Sequence, residues 1–193
     1  MKALVKSCFS VFSVMLMVIF LAPAGAWAAE EIKIGVIYPL TGGAAAAGRE
    51  LRAGAELAAE IANSKMADLP MTMAQNSGVK SLGGAKIKLI FKDHEGNPTL
   101  GADQAKKLIL DDKVDGILGC YFSSVTKTVS AVCEQYGIPM INGSSTSPAL
   151  TERGFKWFWR TTPHDKWFTK DLFELLVGLT EGKVKGVKAV PKK

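Results

Sequence analysis

Two short runs of hydroxyl side chains carry the most visible chemistry in this 193-residue sequence: Ser123-Ser124, directly after Tyr121-Phe122, and Ser144-Ser145-Thr146. A hydroxyl both donates and accepts hydrogen bonds. Ser123 opens a segment with helical spacing. A helix start offers unpaired N–H groups and a partial positive charge. Hydroxyls there suit a small carboxylate or phosphate. Neither run contains Lys or Arg, which fits a zwitterion better than a phosphate: hydroxyls and backbone can donate to its carboxylate and accept from its ammonium. Each run also has a plainer explanation. Ser123 or Ser124 can simply cap the helix, and a Ser-rich stretch can simply turn. Binding competes with these only if both runs reach one edge of one sheet.

Other motifs fail on their chemistry. Gly43 to Gly48, followed by Arg49-Glu50, imitates a phosphate-binding loop but lacks the Lys and the Ser/Thr that hold the γ-phosphate and Mg²⁺. It reads as a flexible helix entry. No G-x-G-x-x-G follows the first strand, and no G-x-S-x-G elbow occurs. His94, between Asp93 and Glu95, is expected to be part of a solvated turn rather than a metal site. Asn142-Gly143-Ser144 is a glycosylation sequon that more simply marks a turn. Trp157, Phe158, Trp159 and Trp167 are expected to fill a core or an interface. No nucleophile–base pair is visible, so an enzyme is not expected, nor is a cofactor.

The elements that would position these residues alternate. Short β-branched runs at 32–38, 86–91, 114–119, 138–141 and 157–161 read as strands. Between them, 48–63, 99–111, 123–136 and 165–177 show helical spacing, with Leu51, Ala55, Leu57, Ala58 and Ile61 inward on the first and Ala102, Ala105, Leu108 and Ile109 inward on the second. Residues 66–84 read as a long loop, an insertion or a flexible flap. Strand–helix alternation predicts an α/β fold: a three-layer, doubly wound parallel sheet. Such sheets bind ligands beyond the carboxyl ends of their strands, at a switch in strand order. That places both hydroxyl runs, and the loop after the first strand, at the candidate site.

Composition sets the context. Apolar content of 48% with 22% charge excludes a disordered chain. The net charge of +6 is unevenly spread. Residues 29–150 hold 12 basic against 13 acidic side chains, and residues 151–193 hold 10 against 5. Lysines that alternate with Gly and Val at the C-terminus describe a solvated tail, not a nucleic-acid face. Lys2 and Lys6, the apolar run 8–22, and Ala26-Trp27-Ala28 have the layout of a secretory signal peptide cut after Ala28. Cys120 and Cys133 are expected to be buried thiols, with a disulfide as the alternative.

The runs IKIGVIYPLTG, DHEGNP, VDGILGCYFSS and YGIPMINGSSTSPALTERGFKWFWRTTP resemble the N-terminal lobe of periplasmic solute-binding proteins of branched-chain amino acid ABC transporters. The resemblance covers residues 30–178 and is most specific from Tyr136 to Pro163. It implies a type I periplasmic-binding fold, a periplasmic location, an amino acid or related amide or small acid as ligand, a membrane permease as partner, and a monomer. By motif position it implies that Ser123 holds the ligand carboxylate, Ser144 contributes through its backbone and Thr146 through its hydroxyl. Tyr121 and Phe122 would flank the ligand side chain. There are departures. Ala44 to Ala47 stand where an aromatic often lies, and Asp93–Pro98 lacks the cysteine of some members. Family members run about twice as long, so the expectation is a single lobe over 29–178 followed by a basic tail, 179–193, where a second lobe would begin. A sensor ectodomain of the same fold is the alternative.

Overall fold

A computed structural model describes residues 31–183. The signal peptide expected at 1–28 and most of the basic tail lie outside the described residues. Five strands form one sheet: β1 (Ile32–Tyr38), β2 (Ile87–Asp93), β3 (Gly116–Gly119), β4 (Met140–Asn142) and β5 (Phe158–Arg160). All pairings are parallel, in the order β2-β1-β3-β4-β5. The helices are α1 (Ala45–Asn63), α2 (Pro98–Leu110), α3 (Ser123–Tyr136) and α4 (Asp165–Thr180). The expected α/β parallel sheet is present, and the order reverses between β1 and β3.

Helices lie on both faces, and the register shows which. Gly35 pairs with Ile90 and Val36 with Phe91. A Cβ on Gly35 would sit 2.7 Å from Leu108 of α2, so α2 covers the Gly35 face. Arg52 of α1 lies 4.5 Å over the Phe91 ring, so α1 covers the Val36 face. The core joins the first of these faces to α2 and α3. Ile37, Ala105, Leu108, Cys120, Val125, Val129, Cys133 and Met140 are its fully buried members. Ala105, Leu108 and Ile109 point inward as their spacing requires. Cys120 and Cys133 are buried free thiols, and burial pushes the Cys133 thiol up to about 12.

Helix α1 corrects the periodic reading. Its buried line is Gly48 and Ala62, with Leu51 and Ala55 half-buried, whereas Leu57 is 56% exposed and Ala58 is exposed. Small residues face the sheet because the approach is close: a Cβ on Gly48 would fall 1.9 Å from the Pro39 carbonyl oxygen. The 66–84 segment is no loose flap either. It forms two 3₁₀ turns, Thr72–Gln75 and Lys80–Leu82, and buries Ala74. Gly78 N–H donates to the Ala62 carbonyl (2.9 Å), and Val79 bridges Ala85.

The late aromatics divide. Phe158 is in the core, but Trp157, Trp159 and Trp167 are 40%, 49% and 58% exposed. Trp159 pairs with Ile141, itself 47% exposed, on the face that α1 covers over β1 and β2. Helix α4 buries no residue. Its Phe168, Leu172, Leu175 and Leu176, a stripe spaced to share one side, are all about half exposed or more.

Candidate ligand-binding site

At the carboxyl edge, β3 and β4 are locked together by buried side chains. Asn142 Nδ2 donates to the carbonyls of Gly119 (2.8 Å) and Cys120 (2.9 Å), and its Oδ1 accepts from Ser145 N–H (2.9 Å). Ser145 Oγ lies 2.8 Å from Thr126 Oγ1 and 3.1 Å from the Cys120 oxygen. Thr126, Asn142 and Ser145 are fully or almost fully buried. Polar groups this deep need partners, and here they satisfy one another and the β3–α3 turn. Buried as it is, Asn142 presents no glycosylation site.

This lock fixes the two hydroxyl runs. Ser123 is the first residue of α3, yet neither Ser123 nor Ser124 caps it. Phe122 holds the cap position in extended conformation and provides no side-chain cap. The first-turn N–H groups therefore lack intrahelical acceptors. Ser147 N–H reaches Ser123 Oγ at 3.4 Å, and Ser144 Oγ donates to the Cys120 carbonyl at 2.9 Å. The Thr146 carbonyl accepts from Asp165 N–H at 2.9 Å, so this loop also anchors α4. Ser123, Ser144 and Thr146 thus sit on adjoining loops at one edge.

A second ensemble lies beside them, across the point where strand order reverses. The Asp93 carboxylate accepts from Leu40 N–H (2.9 Å), Thr41 Oγ1 (2.5 Å) and Glu95 N–H (2.9 Å). Burial works to raise its pKa, but these three bonds prevail and hold it below the ordinary carboxylate value. His94 is fully buried, contrary to the solvated turn expected. Its Nδ1 accepts from Gly96 N–H at 2.9 Å, which leaves Nε2 to carry the proton with no partner. Burial lowers its pKa against the weaker opposing pull of Asp93. The Phe122 ring packs edge-on against His94 and Tyr121, with centroids 6.0 and 5.1 Å apart.

An open cleft of about 450 Å³ lies among these loops. Gly43, Ala44, Ala46 and Ala47 line it from the start of α1. Tyr121 and Phe122 line it from the β3–α3 turn, and Glu95 and Gly96 from the β2–α2 turn. Ser123, Ser144 and Thr146 are not among its lining residues. Tyr121 and Phe122, directly before Ser123 in the chain, line the cleft on the side where the hydroxyls and the first-turn N–H groups of α3 begin. Sequence reasoning missed Thr126, Asn142 and the role of Ser145. The available signal was Thr126 and Ser130 recurring on the apolar side of α3.

A family model described as periplasmic binding protein matches residues 31–187. The chain belongs to the periplasmic binding protein family. The Leu/Ile/Val-binding protein homolog 3 of Brucella melitensis is 34% identical over 135 residues, covering 70% of this chain and 33% of that one. An ABC transporter substrate-binding protein from Desulfitobacterium hafniense, solved in complex with Leu, superposes with a TM-score of 0.62 at 27% identity over 79% of this chain and 39% of its own. A solute-binding protein of an ABC transporter from Rhodopseudomonas palustris, solved with 3,4-dihydroxybenzoic acid, gives 0.56 at 26% identity over 69% and 32%. The chain spans about a third of the length of the curated relatives it matches.

Proposed function

We propose that this chain is a solute-binding lobe of an amino acid ABC transporter of the branched-chain type, and that it holds a small carboxylate at the carboxyl edge of its sheet. It acts by binding and not by catalysis. Its place is the periplasm, its partner a membrane permease, and it works as a monomer. The observation that carries this reading is the joint position of Ser123, at the uncapped start of α3, and the Ser144–Ser147 loop touching it. Free N–H groups and a hydroxyl at a helix start favour a carboxylate. Ser144 and Thr146 are proposed to serve the ammonium or the remaining carboxylate oxygen, and Tyr121 and Phe122 to flank the rest of the ligand. The ligands named for the two structural relatives, leucine and 3,4-dihydroxybenzoic acid, both carry a carboxylate.

The test is an amide-shift titration of the 193-residue chain with small carboxylates. Shifts should concentrate at Ser123, Ser124 and the Ser144–Ser147 loop, and Ser123→Ala should abolish them. Shifts scattered over the surface, or unchanged by Ser123→Ala, would refute the reading.

A further inference from the structure

We propose that the cleft between α1 and the Tyr121-Phe122 turn receives a flat aromatic ring bearing a hydrogen-bond donor, so that the ligand is a phenolic acid and not a branched aliphatic one. This rests on the carboxylate reading above and adds the chemistry of the other end.

Three features of the cleft carry it. The first is the shape of its walls. Among the described residues, no Leu, Ile, Val or Met lines it. A branched aliphatic chain gains from interdigitating with other branched chains at close-packed density. Here the wall is backbone and methyl groups, from Gly43, Ala44, Ala46 and Ala47. Such a wall is low in relief and complements a planar group. The second is the pair of rings at its side. Tyr121 is 38% exposed and meets Phe122 edge-on at 74°. Phe122 is held from behind by His94 and lies 3.5 Å from where a Gly96 Cβ would be. A third ring can join this cluster in the offset or edge-to-face geometries that aromatic quadrupoles favour.

The third feature is polarity. The cleft's polar side chains are Thr41, Glu95 and the Tyr121 hydroxyl. The Thr41 proton is already given to Asp93, so Thr41 Oγ1 can only accept. The Glu95 carboxylate can only accept. That end of the cleft therefore asks for a donor. An isobutyl or sec-butyl group offers none, whereas a phenol does. A second carboxylate there would be repelled by Glu95.

The experiment titrates the whole chain, labelled with ¹⁵N, with L-tyrosine, 4-hydroxybenzoate, benzoate and L-leucine. The hydroxylated ligands should shift the amides of Gly43, Ala44 and Gly96 together with those of Ser123 and Ser124. 4-Hydroxybenzoate should bind about tenfold tighter than benzoate, the lower end of the worth of one hydrogen bond to a charged acceptor. Glu95→Ala should erase that difference. Ala46→Leu, which fills the cleft from an exposed helix position, should weaken aromatic binding at least tenfold. Tyrosine against 4-hydroxybenzoate then separates an amino acid from a benzoate-type ligand. Leucine binding at Ser123 as tightly as the phenols overturns the inference and leaves the carboxylate reading standing. Unchanged phenol binding in Ala46→Leu does the same. No response at Ser123 to any of the four overturns both.

Discussion

Asn142 is the residue on which the site's geometry turns. It bridges two carbonyls of the β3–α3 turn and an amide of the β4 loop. Asn142→Leu keeps the volume but strands those partners in the interior. Each buried group left unpaired costs about 1–3 kcal/mol, so a loss of about 3 kcal/mol is expected in urea unfolding. Ser123→Ala removes a hydroxyl that accepts one long bond, so its stability cost should stay within about 0.5 kcal/mol while ligand response disappears. His94 makes a third prediction. Its pKa in the fold is lowered by burial, below the ordinary imidazole value of about 6.5. As pH falls, the unfolded chain therefore takes up the proton first. Stability should be complete above about pH 6.5 and decline as pH falls towards the folded value. His94→Asn, which retains an acceptor for Gly96 N–H, should remove that slope from a series of unfolding curves. Charge and hydropathy gave no notice that His94 is buried. A lone polar residue between two acids looks solvated unless its packing partners, here Phe122 and the Gly101 turn of α2, are known. Asn142 and Thr126 were hidden for the same reason: partners of theirs lie 16 to 23 positions away along the chain.

At the scale of elements, the strands and helices were legible because period and punctuation agree. Apolar β-branched runs became the strands, and Gly137 in left-handed conformation ends α3 as a glycine after a helix should. Helix α2 starts at Asn97, whose side chain accepts from Thr99 and Leu100 N–H with Pro98 in the first turn. Asn97→Ala should cost about 1 kcal/mol, the usual worth of such a cap, read as a drop in melting temperature. Helix α1 was less legible. A hydrophobic stripe assumes that large residues face inward, but at Gly48 the Pro39 carbonyl approaches so closely that no Cβ fits. Gly48→Ala should push α1 outward, destabilise by about 2 kcal/mol or more as overpacking does, and widen the cleft beside Ala44–Ala47.

For the molecule as a whole, affinity and surface follow from one open edge. A charged hydrogen bond is worth about 1.5–3 kcal/mol net. Two or three of them, less the cost of immobilising a ligand, leave about 4 kcal/mol for a site walled on one side. That corresponds to a dissociation constant near 1 mM, and calorimetry on this chain returning low micromolar values would contradict the one-sided site. The exposed apolar pair Ile141 and Trp159 should bind an environment-sensitive dye in the native state, and Trp159→Gln should reduce that signal without loss of fold.

The division of the carboxyl edge has one more consequence. The lock of Asn142, Ser145 and Thr126 secures the frame, and the alanine wall before Gly48 shapes what the frame admits. Tyr121 and Phe122 belong to both: their carbonyls accept from Ser145 Oγ and Thr126 N–H, and both residues line the cleft. Changes in the lock and in the wall are therefore coupled only through this turn, and pairs of changes that share no partner in it should sum in free energy. The wall can be recut for a differently shaped guest while the masonry behind it stays in place.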